Sequence, residues 1–334
     1  MTTRFVDHNP TLETYWRAII ILGKNTACYK FAFADSLLQS ENIKNEFRLH
    51  DLALPYALKI CDHLKKNDKQ ITLSSSKFLD FCRKYNKKEI GKDELIFNTV
   101  KYGFKNVLDA FHNISNDRVP SFFEKNRNSN KSITITDNFY KLRENFQFNN
   151  LKNEVEARWC LWETAISLNI NYRLLEINKD PHSDILFTFT EDRRVNVTSS
   201  RDALIGYQKG ECFYCNRELS LIYGLDSSCE VDHFFPYSLG FHNINQIWNL
   251  VLACRKCNGE KTNIIPHLDL LSKLHKRNNY YIESHHPLKE TIIKHTGESE
   301  IKRKNFLNDY YKNAVDTFPT MNRWKPKNFF GNKL

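Results

Sequence analysis

The 334-residue chain has no long apolar run. Its longest early one, Ala18 to Leu22, falls far short of the about 20 residues that cross a bilayer, so no membrane span is expected. Met1-Thr2-Thr3-Arg4-Phe5 leads into polar sequence without the apolar stretch of a secretory leader. A disulfide framework is also missing. Of nine cysteines, Cys28, Cys61, Cys82, Cys160 and Cys229 stand among apolar or mixed neighbours at no regular spacing, as reduced thiols do in a cytosol. The expectation is a soluble cytoplasmic protein with no membrane partner. Residues 1–112 contain no catalytic constellation, so chemistry has to be sought downstream.

What is present is a core and a basic surplus. Hydrophobic residues make up 41% and there are 24 Phe, enough for two or three folded domains in a chain of this length. The 49 Lys+Arg against 39 Asp+Glu leave +10, a balance that favours a polyanionic partner but is also found in proteins that never meet nucleic acid. Much of that excess lies beyond Leu271.

Helical periodicity dominates the first half. Asn9-Pro10 reads as a helix start, followed by Leu12, Tyr15, Trp16 and Ile19 on one face. Further helices are predicted over 26–38, 52–64, 77–84, 93–111 and 151–168. Residues 113–132 read as a linker, Ile133 and Ile135 as a short strand, and 185–190 with 194–198 as a hairpin. Ser199-Ser200 caps a short helix through Tyr207. Helices are also predicted around Leu268–Leu274 and from Lys302 through Ala314.

The stretch from Glu211 to Asn263 carries the chemistry. It reads Cys212-x-x-Cys215, Val231-Asp232-His233, Asn249-Leu250 and Cys254-x-x-Cys257-Asn258, with Lys261 three residues on. Two such knuckles can converge on one tetrahedral Zn²⁺, and the carboxylate, imidazole and carboxamides between and beside them suit a hard divalent cation beside a phosphate. These residues resemble an HNH nuclease of the ββα-metal type, in the variant with Asn at the third signature position and a four-cysteine zinc brace. The resemblance covers about a sixth of the chain. The alternative is a zinc ribbon that only binds nucleic acid or protein.

The helical periodicity of the rest of the chain and the resemblance of this segment together give a fold class and a set of roles. The chain would be mainly α. Residues 1–198 would be a helical module with a small β element near its end, for regulation, targeting or a protein partner. Residues 199–334 would be the nuclease domain, with its core at 211–263 and a basic helical C-terminal extension. Cys212, Cys215, Cys254 and Cys257 would hold structural Zn²⁺. Asp232 and Asn258 would hold catalytic Mg²⁺ or Mn²⁺, His233 would act as general base, and Asn249 would brace the loop or orient the ring. Double-stranded DNA is the expected partner, with RNA left open. Arg201 and Lys261 read either as phosphate contacts or as ordinary surface residues. Lys302, Arg303 and Lys304 open a helix that grips the backbone, covers the core, or does both.

Overall fold

The computed structural model describes residues 10–23, 25–40, 45–114, 119–126, 131–167, 176–190, 193–225, 227–285, 287–319 and 322–327. The predicted cap at Asn9, part of the 113–132 linker and the 191–192 turn lie outside them. The chain forms two compact units, residues 10–169 and 170–334. Among the described residues no helix is long and apolar enough to cross a membrane.

The first unit is helical with one small sheet. It runs α1 (Leu12–Ile21), α2 (Tyr29–Leu38), β1 (Glu46–Arg48), α3 (Leu49–Lys66), α4 (Lys77–Asn86), α5 (Lys92–Asn98), α6 (Val107–Ala110), β2 (Phe123–Lys125), β3 (Ser132–Ile135), α7 (Asp137–Glu144) and α8 (Phe148–Ser167). Thr11 caps α1, its hydroxyl accepting from the Thr14 N–H at 3.3 Å. The continuous helix predicted over 93–111 is instead interrupted by a π-helical turn at Thr99–Gly103. Periodicity alone could not show why. Gly103 lies so close to Phe78 that a Cβ would meet its ring at 2.9 Å, and the Gly103 carbonyl accepts from the Tyr56 hydroxyl. The 113–132 linker contains β2, which pairs with β3, and β1 completes the antiparallel sheet in the order β1-β3-β2.

Aromatic rings fill this unit, with Trp16 against Phe122 at 5.2 Å and Phe33 against Phe123 at 5.3 Å. The tryptophan at the start of the chain is therefore core, as its helical spacing predicts. A buried Arg17–Glu154 pair at 2.7 Å ties α1 to α8. His63 lies stacked on Trp159 at 3.6 Å, with Nδ1 2.9 Å from Glu163 and Nε2 3.3 Å from Glu156. Burial opposes a charge there, yet the two carboxylates hold its pKa above the ordinary value. The sign follows from linkage: a group whose native pKa exceeds its unfolded one stabilises the fold below the unfolded value, about 6.5, and that contribution is lost as pH rises through the native value. Thermal midpoints of this unit should therefore fall as pH climbs above about 6.5, and Glu163→Gln should flatten the dependence.

The second unit contains β4 (Asn178–Lys179), β5 (Ile185–Thr190), β6 (Arg193–Ser199), α9 (Ser200–Ile205), β7 (Cys229–His233), β8 (Leu250–Cys254), α10 (Arg255–Lys261), α11 (Leu268–Glu283), α12 (Leu288–Thr296) and α13 (Glu300–Thr317). β4, β5 and β6 form an antiparallel sheet. β6 runs directly into α9, and Asp184 accepts hydrogen bonds from Ser199 at 2.6 Å, from Ser200 and from Arg201. The hairpin thus packs with the downstream segment. β7 and β8 pair antiparallel from Cys229↔Cys254 to His233↔Leu250, and α10 follows β8 without a loop.

Candidate active site and metal centre

The four knuckle cysteines converge. The Sγ atoms of Cys212, Cys215, Cys254 and Cys257 all lie within 4.8 Å of one another, and among the described residues no other group of this kind does. Cys215 and Cys254 Sγ are 3.8 Å apart, the edge of a tetrahedron with bonds of about 2.3 Å. Backbone N–H groups point at the sulfurs, Cys254 N–H to Cys212 at 3.3 Å and Cys257 N–H to Cys254 at 3.5 Å. Four sulfurs in this geometry fit Zn²⁺ and leave no open position. Cys229 stays outside the cluster, buried, with burial pushing its thiol up to about 12.

β7 and α10 place the harder donors. Side chains alternate along a strand, so Glu230 and Asp232 share one face and Val231 and His233 the other. Asp232 is buried, accepting from the Tyr214 hydroxyl at 2.5 Å and from Lys261 Nζ at 3.2 Å on Oδ1 and 3.1 Å on Oδ2. Lys261 also donates to the His233 carbonyl at 2.8 Å and is fully buried. The reading of Lys261 as a phosphate contact or exposed helix lysine is corrected accordingly, because its ammonium is the counter-charge of Asp232. Burial pushes the carboxyl up and the ammonium down, and each offsets the other's desolvation. Removing one partner of such a pair costs about 3–5 kcal/mol. Lys261→Met should lower the denaturation midpoint of this unit correspondingly, and adding Asp232→Asn should recover much of the loss.

Asn258 donates Nδ2 to Glu230 at 2.7 Å, which leaves its Oδ1 as an oxygen donor. Glu230, not singled out from the sequence, also sits 3.7 Å from Arg255. An ionised carboxylate offers about four lone-pair sites, and Lys261 and Tyr214 occupy three on Asp232. What remains for a hard cation is one lone-pair site on Asp232 and the Asn258 Oδ1.

Asn249 and His233 have separate tasks. Asn249 is fully buried, its Oδ1 accepting from Phe235 N–H at 2.8 Å and its Nδ2 donating to the carbonyls of Phe235 and Ile244 at 2.9 and 2.8 Å. Of the two roles expected for it, loop bracing is the one the bonds serve. The ring of His233 is met by Asn245, with Nε2 2.9 Å from Oδ1, while Asn245 Nδ2 donates to the Lys179 carbonyl at 2.8 Å. That second bond fixes the amide orientation, so Nε2 carries the ring proton and Nδ1 keeps its lone pair. Burial pushes the His233 pKa below its ordinary value.

These bonds complete a ββα unit. Residues 212–267 match the family model described as HNH endonuclease. This segment is an HNH endonuclease domain. Comparison with curated proteins and with solved structures gives no match. The rest of the second unit supports the HNH domain. Gln208 bonds both the N–H and the carbonyl of Leu252, completing the outer edge of β8. Arg277 on α11 donates to the carbonyls of Leu250 and Trp248 at 2.6 and 2.9 Å, and Lys273 holds Asn216 in the first knuckle at 2.6 Å.

The remaining basic residues divide. Arg201 is buried against Asp184 and the Cys229 carbonyl, so it is not an open backbone contact. Arg303 is buried too, donating to Asn279 and to the carbonyls of Gly297 and Glu298 that end α12; the predicted grip on phosphate is corrected to a helix-end clamp. Lys302 and Lys304 flank it and are exposed.

Proposed function

We propose that the chain is a metal-dependent HNH endonuclease or nickase that hydrolyses DNA phosphodiester bonds, acting in prokaryotic restriction or anti-phage defence. The observation that carries this reading is His233, held by Asn245 with Nδ1 open. A zinc-binding module has no need of a base oriented in this way.

In the proposed reaction His233 Nδ1 takes a proton from a water molecule as its oxygen attacks phosphorus, and the bond to the 3′ oxygen breaks, that oxygen taking a proton from solvent to leave as the 3′-hydroxyl. Asn245 keeps the ring in the required tautomer. Lys261 holds the Asp232 carboxylate in place, and Asn249 fixes the loop that returns the chain to β8. Asp232 and Asn258 would hold Mg²⁺ or Mn²⁺, which would supply positive charge to offset the negative charge that grows in the reaction. Zn²⁺ on the four cysteines is structural. Exposed Lys302 and Lys304 add sequence-blind attraction for duplex DNA. The helical first unit controls or targets the cut, through a protein partner.

The test is incubation of the full chain with supercoiled plasmid and with RNA, in Mg²⁺, Mn²⁺ or EDTA. Nicked or linear plasmid formed only with the divalent cations supports the proposal. Cleavage confined to RNA moves the substrate, and no change in either polymer favours a non-catalytic zinc-dependent nucleic-acid-binding protein.

A further inference from the structure

β7 is an edge strand, and along it lies a cleft of about 380 Å³, within the size range of small-ligand sites. Lys179, Val231 and Arg255 line it, and Tyr223 with Arg201 stands at its end. Lys179 is also the residue whose carbonyl orients Asn245, and through it His233, so the cleft begins beside the reacting ring. From His233 to Cys229 the strand covers about 13 Å, a length of roughly four stacked nucleotides.

Tyr223 stands outside the core. It is 73% exposed on a loop that Gly224 turns at φ +84° and that backbone bonds anchor, Ser220 N–H to Ser227 at 2.8 Å and Cys229 N–H to Ser220 at 3.1 Å. One ring face is covered: the Arg201 guanidinium lies 3.7 Å from its centroid and is itself buried and fixed by Asp184 and the Cys229 carbonyl. A ring fixed from one side and bare on the other is a stacking platform. Ile222 and Leu225, 49% and 41% exposed, extend the apolar tip.

Charge in the cleft also suits a strand. Glu230 is engaged by Asn258 and Arg255, and Asp184 by Ser199, Ser200 and Arg201. The Lys179 ammonium, by contrast, donates to the backbone carbonyls of Asp180 and Ser183 at 3.0 and 3.4 Å, with no carboxylate among the described residues at ion-pair distance. Its charge is available to a phosphate.

We infer that this cleft seats an unpaired nucleotide of the substrate strand next to the scissile phosphate, with its base stacked on Tyr223 and its phosphate facing Lys179. Paired bases show proteins their edges, whereas stacking on a side chain needs a base turned out of its helix. The site therefore selects single-stranded or locally opened nucleic acid. This rests on the nuclease reading for the strand's direction toward His233.

The test uses the full chain in a His233→Ala background, with fluorescence anisotropy on a single-stranded oligonucleotide and on a fully paired duplex of the same sequence. Loss of a stacking ring costs about 1–3 kcal/mol per base. Tyr223→Ala should weaken single-strand binding by roughly 5- to 150-fold, Tyr223→Phe should recover most of that loss, and duplex binding should barely move. A 2-aminopurine placed in the strand should be quenched by the tyrosine and not by the alanine. Unchanged single-strand affinity in Tyr223→Ala, or equal losses for single strand and duplex, would overturn the inference. The cleavage reading is scored separately: a chain that never cuts plasmid or RNA yet shows the Tyr223-dependent binding keeps the seat and loses the nuclease.

Discussion

His233→Ala is expected to reduce phosphodiester cleavage by about 10²- to 10⁴-fold, the usual cost of a positioned base, while zinc content and folding stay near wild type. The structure gives the reason for that selectivity. The His233 side chain bonds Asn245, while the buried network beneath it joins Tyr214, Asp232 and Lys261 and uses only the His233 backbone carbonyl. Deleting the ring leaves that network whole. Asp232→Ala should fail in another way, because it strands the buried Lys261 ammonium and removes a cation ligand together. High Mn²⁺ separates loss of the base from loss of a cation ligand: it should rescue Asn258→Ala in part and leave His233→Ala inactive. Single-turnover rates at matched zinc content check this, and wild-type rates in His233→Ala would reject the assignment.

Cys257→Ser is expected to abolish zinc binding and unfold the ββα core. Cys254 ends β8 and caps α10 through its sulfur, and Cys212 begins the knuckle that bonds back to Leu252 through Phe213. An ion held by the four sulfurs would therefore tie the first knuckle to the junction of β8 and α10. Structural Zn²⁺ contributes about 10–16 kcal/mol in finger peptides at neutral pH, comparable to the whole stability of a typical domain. Cys229 cannot substitute, since it lies outside the cluster. Elemental analysis should fall from about one zinc per chain to none, and amide exchange across 212–267 should accelerate while the 10–169 unit keeps its protection. A zinc-free variant with native exchange would contradict the structural role.

The sequence made some of this legible and hid the rest for identifiable reasons. Helical spacing located most helices, because burial of one face leaves a 3.6-residue imprint that local reading recovers. Cysteine spacing did the same for the metal centre. Asn245 left no such imprint: its role comes from a carbonyl 66 residues earlier in the chain, and an asparagine in a polar loop looks like any other. Tyr214 sat between two knuckle cysteines as one more aromatic, and only the packing shows that its hydroxyl meets Asp232. Lys261 and Arg303 read as surface charge because charge is usually solvated; tertiary partners turned both inward. The break at Gly103 likewise depends on Phe78 and Tyr56, which lie distant in sequence.

The central claim is that this chain adds water to a phosphodiester and expels the 3′ oxygen. Cleavage in ¹⁸O-labelled water tests it most directly, with the product termini read by mass spectrometry. The account predicts 5′-phosphate ends carrying one solvent oxygen and free 3′-hydroxyls, formed only with a divalent cation and lost in His233→Ala. Products with 3′-phosphate or cyclic phosphate ends, or 5′ ends without the label, would contradict it.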